Sequence, residues 1–309
     1  MTLQDIPAAA LHTATVSVQA QRRAGPTMIG IGAQKCASSW VHAALGAHPQ
    51  IGVSDPKEID FFSYYFDRGY HWYDDHFHPV AARPVRFEAS PSYLHDPRTP
   101  ERVRAYDPAM KILAMLRDPV ARAYSNHLHE IIKGHIPPVS FAKGLSNNPA
   151  YVEQGLYSTH LSRWLACFPR HQVLVLLAEE VAADPAQAAA QVYTFAGVDP
   201  THVSAVVSER RNESDRPRLP LLRHGLRAGG QVLRRLGLEE PLARVKKSGA
   251  VARLLAANSV DLRAEVPAMD AASRAQLLDL FAADLAQLPA LLGRDSLPWS
   301  SWKDLQGHG

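Results

Sequence analysis

Apolar residues along this chain gather in short blocks separated by stretches of helical periodicity. The first block, Thr27–Ile31 in TMIGIG, is continuous and runs into a glycine-containing turn, which predicts a strand buried on both faces. Similar blocks predict strands over Val85–Glu88, Lys111–Leu116 and Gln172–Leu177. Apolar positions at helical spacing predict helices over Pro119–Lys133, Thr159–Cys167 and Pro185–Ala196. The segment AQKCASSWVHAALGAHP predicts a helix capped by Ser38 or Ser39 and ended near His48-Pro49, because proline disfavours helix at the residue before it. Strands alternating with helices imply a single α/β domain with a central parallel sheet flanked by helices.

The C-terminal half changes character. Residues 219–265 are rich in Lys and Arg, with apolar residues and glycines between, and read as a basic helical insertion of short amphipathic pieces. An acceptor lid, a homodimer surface or a peripheral membrane contact would each suit it, against the plain alternative of exposed basic helices. After it, Leu277, Phe281, Leu285 and Leu288 mark one face of a helix over Ala271–Leu292, with Asp270 as its N-cap. Residues 1–24 read as a mobile N-terminal tail. They carry Asp5 where a signal peptide needs positive charge.

Composition narrows the function classes. The chain has 309 residues, 46% hydrophobic and 20% charged, which is ordinary for a globular protein with a core. Its net charge of +3, from 33 basic and 30 acidic residues, argues against nucleic acid as a partner. The two cysteines, Cys36 and Cys167, build neither a disulfide framework nor a metal site, and free thiols suit a cytoplasmic location. No apolar run reaches the roughly 18 residues of a transmembrane segment.

Two segments carry anion chemistry. GIGAQKCASSW joins a strand to a helix, where unpaired backbone N–H groups and the positive helix end favour phosphate. Lys35 adds a charge there, and Ser38 and Ser39 add hydroxyls. The lysine precedes the turn, so this is not the Walker pattern of ATP-dependent enzymes. In KILAMLRDPVARAYSNHLHE, Arg117 ends a strand, Asp118 caps the next helix and Pro119 suits its first turn. Ligands of open α/β sheets bind at the carboxyl ends of strands, which is where Arg117 lies. Arg122, Ser125 and His129 follow at helical spacing on one face, as an anion clamp would. The plain alternatives are a solvent-facing Lys35, solvent-facing Arg122 and His129 with an Arg117–Asp118 pair, and a surface pairing of Glu58 with Lys57.

Together these segments resemble the sulfotransferases that use 3′-phosphoadenosine 5′-phosphosulfate (PAPS), particularly the heparan-sulfate-type branch and bacterial relatives. QKCASSW resembles the family's 5′-phosphosulfate loop and LRDPVARAYSNH its 3′-phosphate motif. PKEIDFFSYYFDRGYHWYDDHF, residues 56–77, resembles the segment with the catalytic carboxylate. EASPSYL, GLYSTHLSRWLACFP and FAADLAQLPALLGRDSLPW match in order, so the likeness covers residues 27 to 302. It implies a P-loop-like sulfotransferase fold. It also implies sulfuryl transfer from PAPS to a hydroxyl or amine of a small-molecule, lipid or carbohydrate acceptor, leaving adenosine 3′,5′-bisphosphate, with no metal. By that likeness Glu58 is the general base, Lys35 stabilises the leaving group and His129 supports the reaction centre. Lys35, Cys36, Ala37, Ser38, Ser39 and Trp40 hold the 5′-phosphate, and Arg117 and Ser125 the 3′-phosphate. Tyr157 packs either on the nucleotide or in the core, and Arg211 or Arg218 in ERRNESDRPRLP adds a further phosphate contact. Glu88 braces the site.

Two residues depart from the pattern. Ala37 stands where the family has glycine, which restricts φ and the approach of a phosphate. Asp60 stands where heparan-type members carry histidine. It suits either a polyhydroxylated or cationic acceptor or a chain turn. Phe61–Phe77 is dense in aromatic residues and suits either an acceptor wall or a packed loop. Two other functions compete: a small-molecule kinase, which would need the missing Walker lysine, and a nucleotide-binding scaffold without chemistry.

Overall fold

The computed structural model describes residues 24–208, 215–217, 259–261 and 266–307. The expectations for the N-terminal tail, for Arg211 and Arg218, and for the basic insertion apart from 259–261 fall outside the described residues. Five strands form one sheet: β1 (Met28–Gly32), β2 (Ile51–Val53), β3 (Val85–Ala89), β4 (Lys111–Leu116) and β5 (Val173–Leu177). All pairings are parallel, in the order β2-β3-β1-β4-β5. β1 is buried throughout and β4 is buried from Ile112 onward, as strands covered on both faces must be. The apolar pattern anticipates four of these strands. It misses β2, an edge strand of only three residues, too short for any periodicity to register. Two further short strands, β6 (Asp215–Pro217) and β7 (Ser259–Asp261), pair antiparallel, so helix does not run through 259–261 as the pattern suggests.

The helices that bear on the site are α1 (Ser38–Gly46), α2 (Pro119–Lys133), α3 (Tyr157–Cys167), α4 (Pro185–Ala196), α5 (Ala205–Ser208) and α6 (Ala271–Leu292). Each parallel connection returns to the amino edge of the sheet, so the loops leaving β1, β3 and β4 share the carboxyl edge. Because β3, β1 and β4 are neighbours, those three loops are neighbours too. The expectation that the Lys35 loop and Arg117 both lie at carboxyl ends holds.

By length and composition alone α6 could cross a membrane, although no unbroken apolar run in the sequence suggests it. Here Leu277, Phe281, Leu285 and Leu288 are fully buried, and the helix packs on α3. Its Asp284 is buried and caps α3 from outside that helix. One carboxylate oxygen accepts from the Ser158 amide at 2.9 Å, the other from the Thr159 amide at 2.9 Å and the Thr159 hydroxyl at 2.8 Å. A carboxylate on the first N–H groups of a helix satisfies orphan donors and meets the positive dipole end. α6 thereby fixes where α3 begins.

Candidate functional site

The loop after β1 is shaped by backbone constraints. Gly32 leaves the strand at φ 118, and a side chain there would meet the Pro91 carbonyl at 2.7 Å. The Ala33 amide then donates to the Met115 carbonyl at 2.7 Å, pinning the loop to the end of β4. Lys35 and Ala37 both adopt left-handed backbone, at φ 68 and φ 65. Ala37 is the N-cap of α1, and its carbonyl accepts from the amides of Trp40 at 3.0 Å and Val41 at 3.2 Å. The expectation of a serine cap is therefore corrected. Ser38 and Ser39 are the first two helical residues, and no side chain caps α1. Their hydroxyls instead receive the Lys57 ammonium, at 3.2 Å each. The Trp40 indole N–H donates to the Val207 carbonyl of α5 at 2.8 Å, which anchors the first turn.

Beneath the loop, Cys36 and Tyr157 are fully buried. The Tyr157 hydroxyl donates to the Arg117 carbonyl at 2.9 Å and lies 3.8 Å from the Cys36 sulfur. Burial pushes the Cys36 thiol up to about 11 and the Tyr157 phenol well above its ordinary value, so both stay protonated. What Cys36 presents outward is backbone. Of the two readings of Tyr157 the core one is observed: it joins the β1 loop to the β4 exit from below.

At the β4 exit, Asp118 caps α2, accepting from the amides of Val120 at 2.9 Å and Ala121 at 3.2 Å. Its other oxygen takes the Ser300 hydroxyl at 3.1 Å and the Ser301 amide at 3.0 Å. The carboxylate is thus filled without Arg117. Among the described residues no hydrogen bond or ion pair engages the partly buried Arg117 guanidinium. Ser125 and His129 are partly exposed on α2, one turn and about 6 Å apart. Arg122 departs from the clamp suggested by its spacing. It is fully buried and donates to Gln154 Oε1 at 3.2 Å and to the carbonyls of Ala150 and Tyr151, holding the segment before α3.

The carboxylate segment docks on the exit of β3. The Asp60 amide donates to Ser90 Oγ at 2.8 Å, and the Ser92 hydroxyl donates to the Asp60 carboxylate. Asp60 is left-handed at φ 54, and its carbonyl accepts from the Tyr64 amide at 2.9 Å, so of its two readings the turn is the one observed. Glu88 lies fully buried under this segment, accepting from the Ser90 hydroxyl, from the Tyr73 hydroxyl at 3.2 Å and from the Ile59 amide at 3.4 Å. Burial outweighs these donors and raises its carboxyl to about 8. Burial likewise raises Asp60, with the nearby Glu58 charge adding to it. Glu58 itself is about half exposed and 3.2 Å from the Lys57 ammonium. Phe61, Phe62, Tyr73 and Phe77 are fully buried, while Tyr64 and Tyr65 face solvent, so most of the aromatic stretch is packed core. Among the described residues no cluster of metal-ligating side chains occurs.

An anion loop, a strand-end arginine and a carboxylate thus share one edge of a parallel sheet, and relatives give this a family. A family model described as a sulfotransferase domain matches residues 26–216. The chain belongs to the sulfotransferase family. The human bifunctional heparan sulfate N-deacetylase/N-sulfotransferase 3 is 32% identical over 199 residues, covering 57% of this chain and 22% of the relative. The mouse N-deacetylase/N-sulfotransferase 1 is 30% identical over 200 residues, with the same coverage of 57% and 22%. The chain therefore spans about a fifth of the length of these curated relatives. A sulfotransferase structure from Alicyclobacillus acidocaldarius superimposes with a TM-score of 0.65 at 26% identity, covering 90% of this chain and 98% of that one. The chain is an enzyme with the P-loop-like sulfotransferase fold.

Sequence reasoning on this sulfotransferase places the Lys35 loop and Arg117 at the carboxyl ends of strands, as found. It misses Lys57 as a contact of the serine pair, because those residues are 18 and 19 positions apart and no local pattern links them. It also misses Asp284, whose capping role depends on a helix 125 and 126 positions away.

Two outcomes follow from this geometry. An L-residue in left-handed backbone costs roughly 1–2 kcal/mol, so Ala37→Gly is expected to raise stability by about 0.5–1 kcal/mol net of glycine's extra unfolded-state entropy. Urea unfolding of the two proteins checks this, and a loss of stability would contradict it. The second outcome concerns Glu88, whose folded value is raised above its ordinary one. Its contribution is fully present below pH 4.5 and is lost as pH rises toward about 8. Wild type should therefore lose stability relative to Glu88→Gln across that window. Denaturant unfolding of both proteins at several pH values reads the difference, and a constant difference would show that Glu88 ionises normally.

Proposed function

We propose that this sulfotransferase moves the sulfuryl group of PAPS onto a hydroxyl or amine of a carbohydrate or small-molecule acceptor, releasing adenosine 3′,5′-bisphosphate. The observation that carries the reading is positional. The Lys35 loop and Arg117 leave the neighbouring strands β1 and β4, and the Glu58 segment, which follows β2, docks on the exit of β3 at the same edge. A donor with separate 5′ and 3′ anionic groups needs two anion sites at such an edge, and the acceptor needs a base beside one of them.

In this reading the α1 amides, Ser38, Ser39 and Lys35 take the 5′-phosphosulfate. Arg117, free of Asp118, takes the 3′-phosphate with Ser125. Sulfuryl transfer is an in-line displacement in which charge gathers on the leaving oxygen, so positioning and electrostatics do most of the work. The acceptor's oxygen or nitrogen forms a bond to sulfur while the bond from sulfur to the bridging oxygen breaks. The electron pair leaves with the 5′-phosphate, where Lys35 meets it, and the acceptor's proton passes to Glu58. His129, partly exposed on α2, takes a supporting role in this reading. The heparan sulfate N-sulfotransferase relatives favour amino sugars as the first acceptors to test.

Calorimetry with adenosine 3′,5′-bisphosphate, ADP and AMP tests the donor assignment. The bisphosphate should bind most tightly. Arg117→Ala should lose about one to two powers of ten of bisphosphate affinity and leave AMP nearly untouched. Equal binding of AMP and bisphosphate by wild type would remove the role given to Arg117. For the chemistry, a panel of N-unsubstituted and N-acetylated glucosaminyl oligosaccharides is offered with PAPS. Glu58→Gln should lower turnover by about two to four powers of ten while bisphosphate affinity holds. Near-normal turnover would move the base role to His129.

A further inference from the structure

The proposed chemistry asks for a carboxylate base beside a polyanionic donor, an arrangement that like charge opposes. The structure holds a cation between the two. The Lys57 ammonium has three N–H donors and three partners, Ser38 Oγ, Ser39 Oγ and Glu58 Oε1, each at 3.2 Å. Its side chain is only 27% exposed. The two hydroxyls belong to the first turn of α1, where the helix dipole is positive and repels a cation. Lys57 also pushes the nearby His42 imidazole down, second to that group's burial. A lysine held against a helix N-terminus, with Glu58 as its ion-pair partner among the described residues, stands between that carboxylate and the loop.

We propose, resting on the PAPS reading above, that Lys57 is a positioning residue that couples the donor loop to the base. Its ammonium screens the Glu58 carboxylate from the donor's negative charge and fixes the distance between that carboxylate and the start of α1. Without it, Glu58 is repelled from the filled loop and swings into solvent, to which it is already half open. Lys57 itself forms no bond to the transferring group and gives up no proton in the step.

A double-mutant cycle separates this from a purely structural role. The full chain is assayed with PAPS and whichever glucosaminyl oligosaccharide supports turnover, and adenosine 3′,5′-bisphosphate affinity is measured alongside. Wild-type turnover and bisphosphate binding test the PAPS reading itself, independently of Lys57. Lys57→Met should lower kcat by about ten- to a hundredfold with bisphosphate affinity nearly unchanged. Because Lys57 acts through Glu58, adding Lys57→Met to Glu58→Gln should cost little more than Glu58→Gln alone. Lys57→Arg, which keeps the charge, should recover part of kcat. Normal turnover in Lys57→Met would overturn the proposal. So would fully additive losses, which would mean a direct contact with the sulfuryl group, or a parallel collapse of bisphosphate affinity, which would make Lys57 a prop of the loop.

Discussion

The site hangs on one buried hydroxyl. Tyr157 donates to the Arg117 carbonyl at 2.9 Å from the first turn of α3, against the Cys36 sulfur. That single atom joins the exit of β4, the loop after β1 and the helix that runs beneath both. A buried hydroxyl left without its partner costs about 1–3 kcal/mol, so the contact is strongly directional. Burial keeps the phenol protonated and therefore a donor. The position of α3 is set in turn by Asp284 on α6, which accepts from the Ser158 and Thr159 amides. The geometry of an N-terminal anion loop thus depends on a C-terminal helix, through two buried polar contacts and the apolar face between them.

Charge follows from that scaffold. A parallel sheet gathers its strand exits on one edge, so cations and helix N-termini accumulate where a polyanion can bind. The base proposed above must share the same space without being repelled. The Glu58 segment is tied to the β3 exit by Ser90 and Ser92, and Lys57 stands between Glu58 and the loop serines. Glu88, the other carboxyl nearby, avoids the conflict differently. It is buried deeply enough to remain neutral near pH 7, and can sit under the segment without adding charge.

How much of this the sequence discloses depends on whether the deciding contact is local. The bounds of β4, α2, α4 and α6 follow from apolar pattern and caps, and Asp118 and Asp270 cap as their positions suggest. The α1 cap does not. Two serines at the turn look like caps, yet the left-handed turn at Ala37 places both inside the helix. Arg122 misleads for a related reason. Spacing says which residues share a helix face but not what covers it, and the segment 150–154 buries the Arg122 end of that face. Lys57 and Tyr157 act across 18 to 121 positions, where no periodicity reaches.

Strain marks the same place. Among the described residues, Lys35, Ala37 and Asp60 are the non-glycine positions with positive φ, and all three lie in the loop after β1 or in the Glu58 segment. Each costs on the order of 1–3 kcal/mol and persists only where surrounding contacts over-determine it. Those contacts are visible for two of them. Ala37 is held by the first turn of α1 and by the indole anchor of Trp40, and Asp60 by Ser90 and Ser92. Contacts within the fold thus hold the loop in its bent shape. Strain accepted during folding leaves less reorganisation for the moment when charge develops on the leaving oxygen, which is where preorganised donors count most. Alanine in place of the family's glycine makes the cost at position 37 larger, and a loop held from below by Tyr157 against Cys36 and from the side by Met115 carries it.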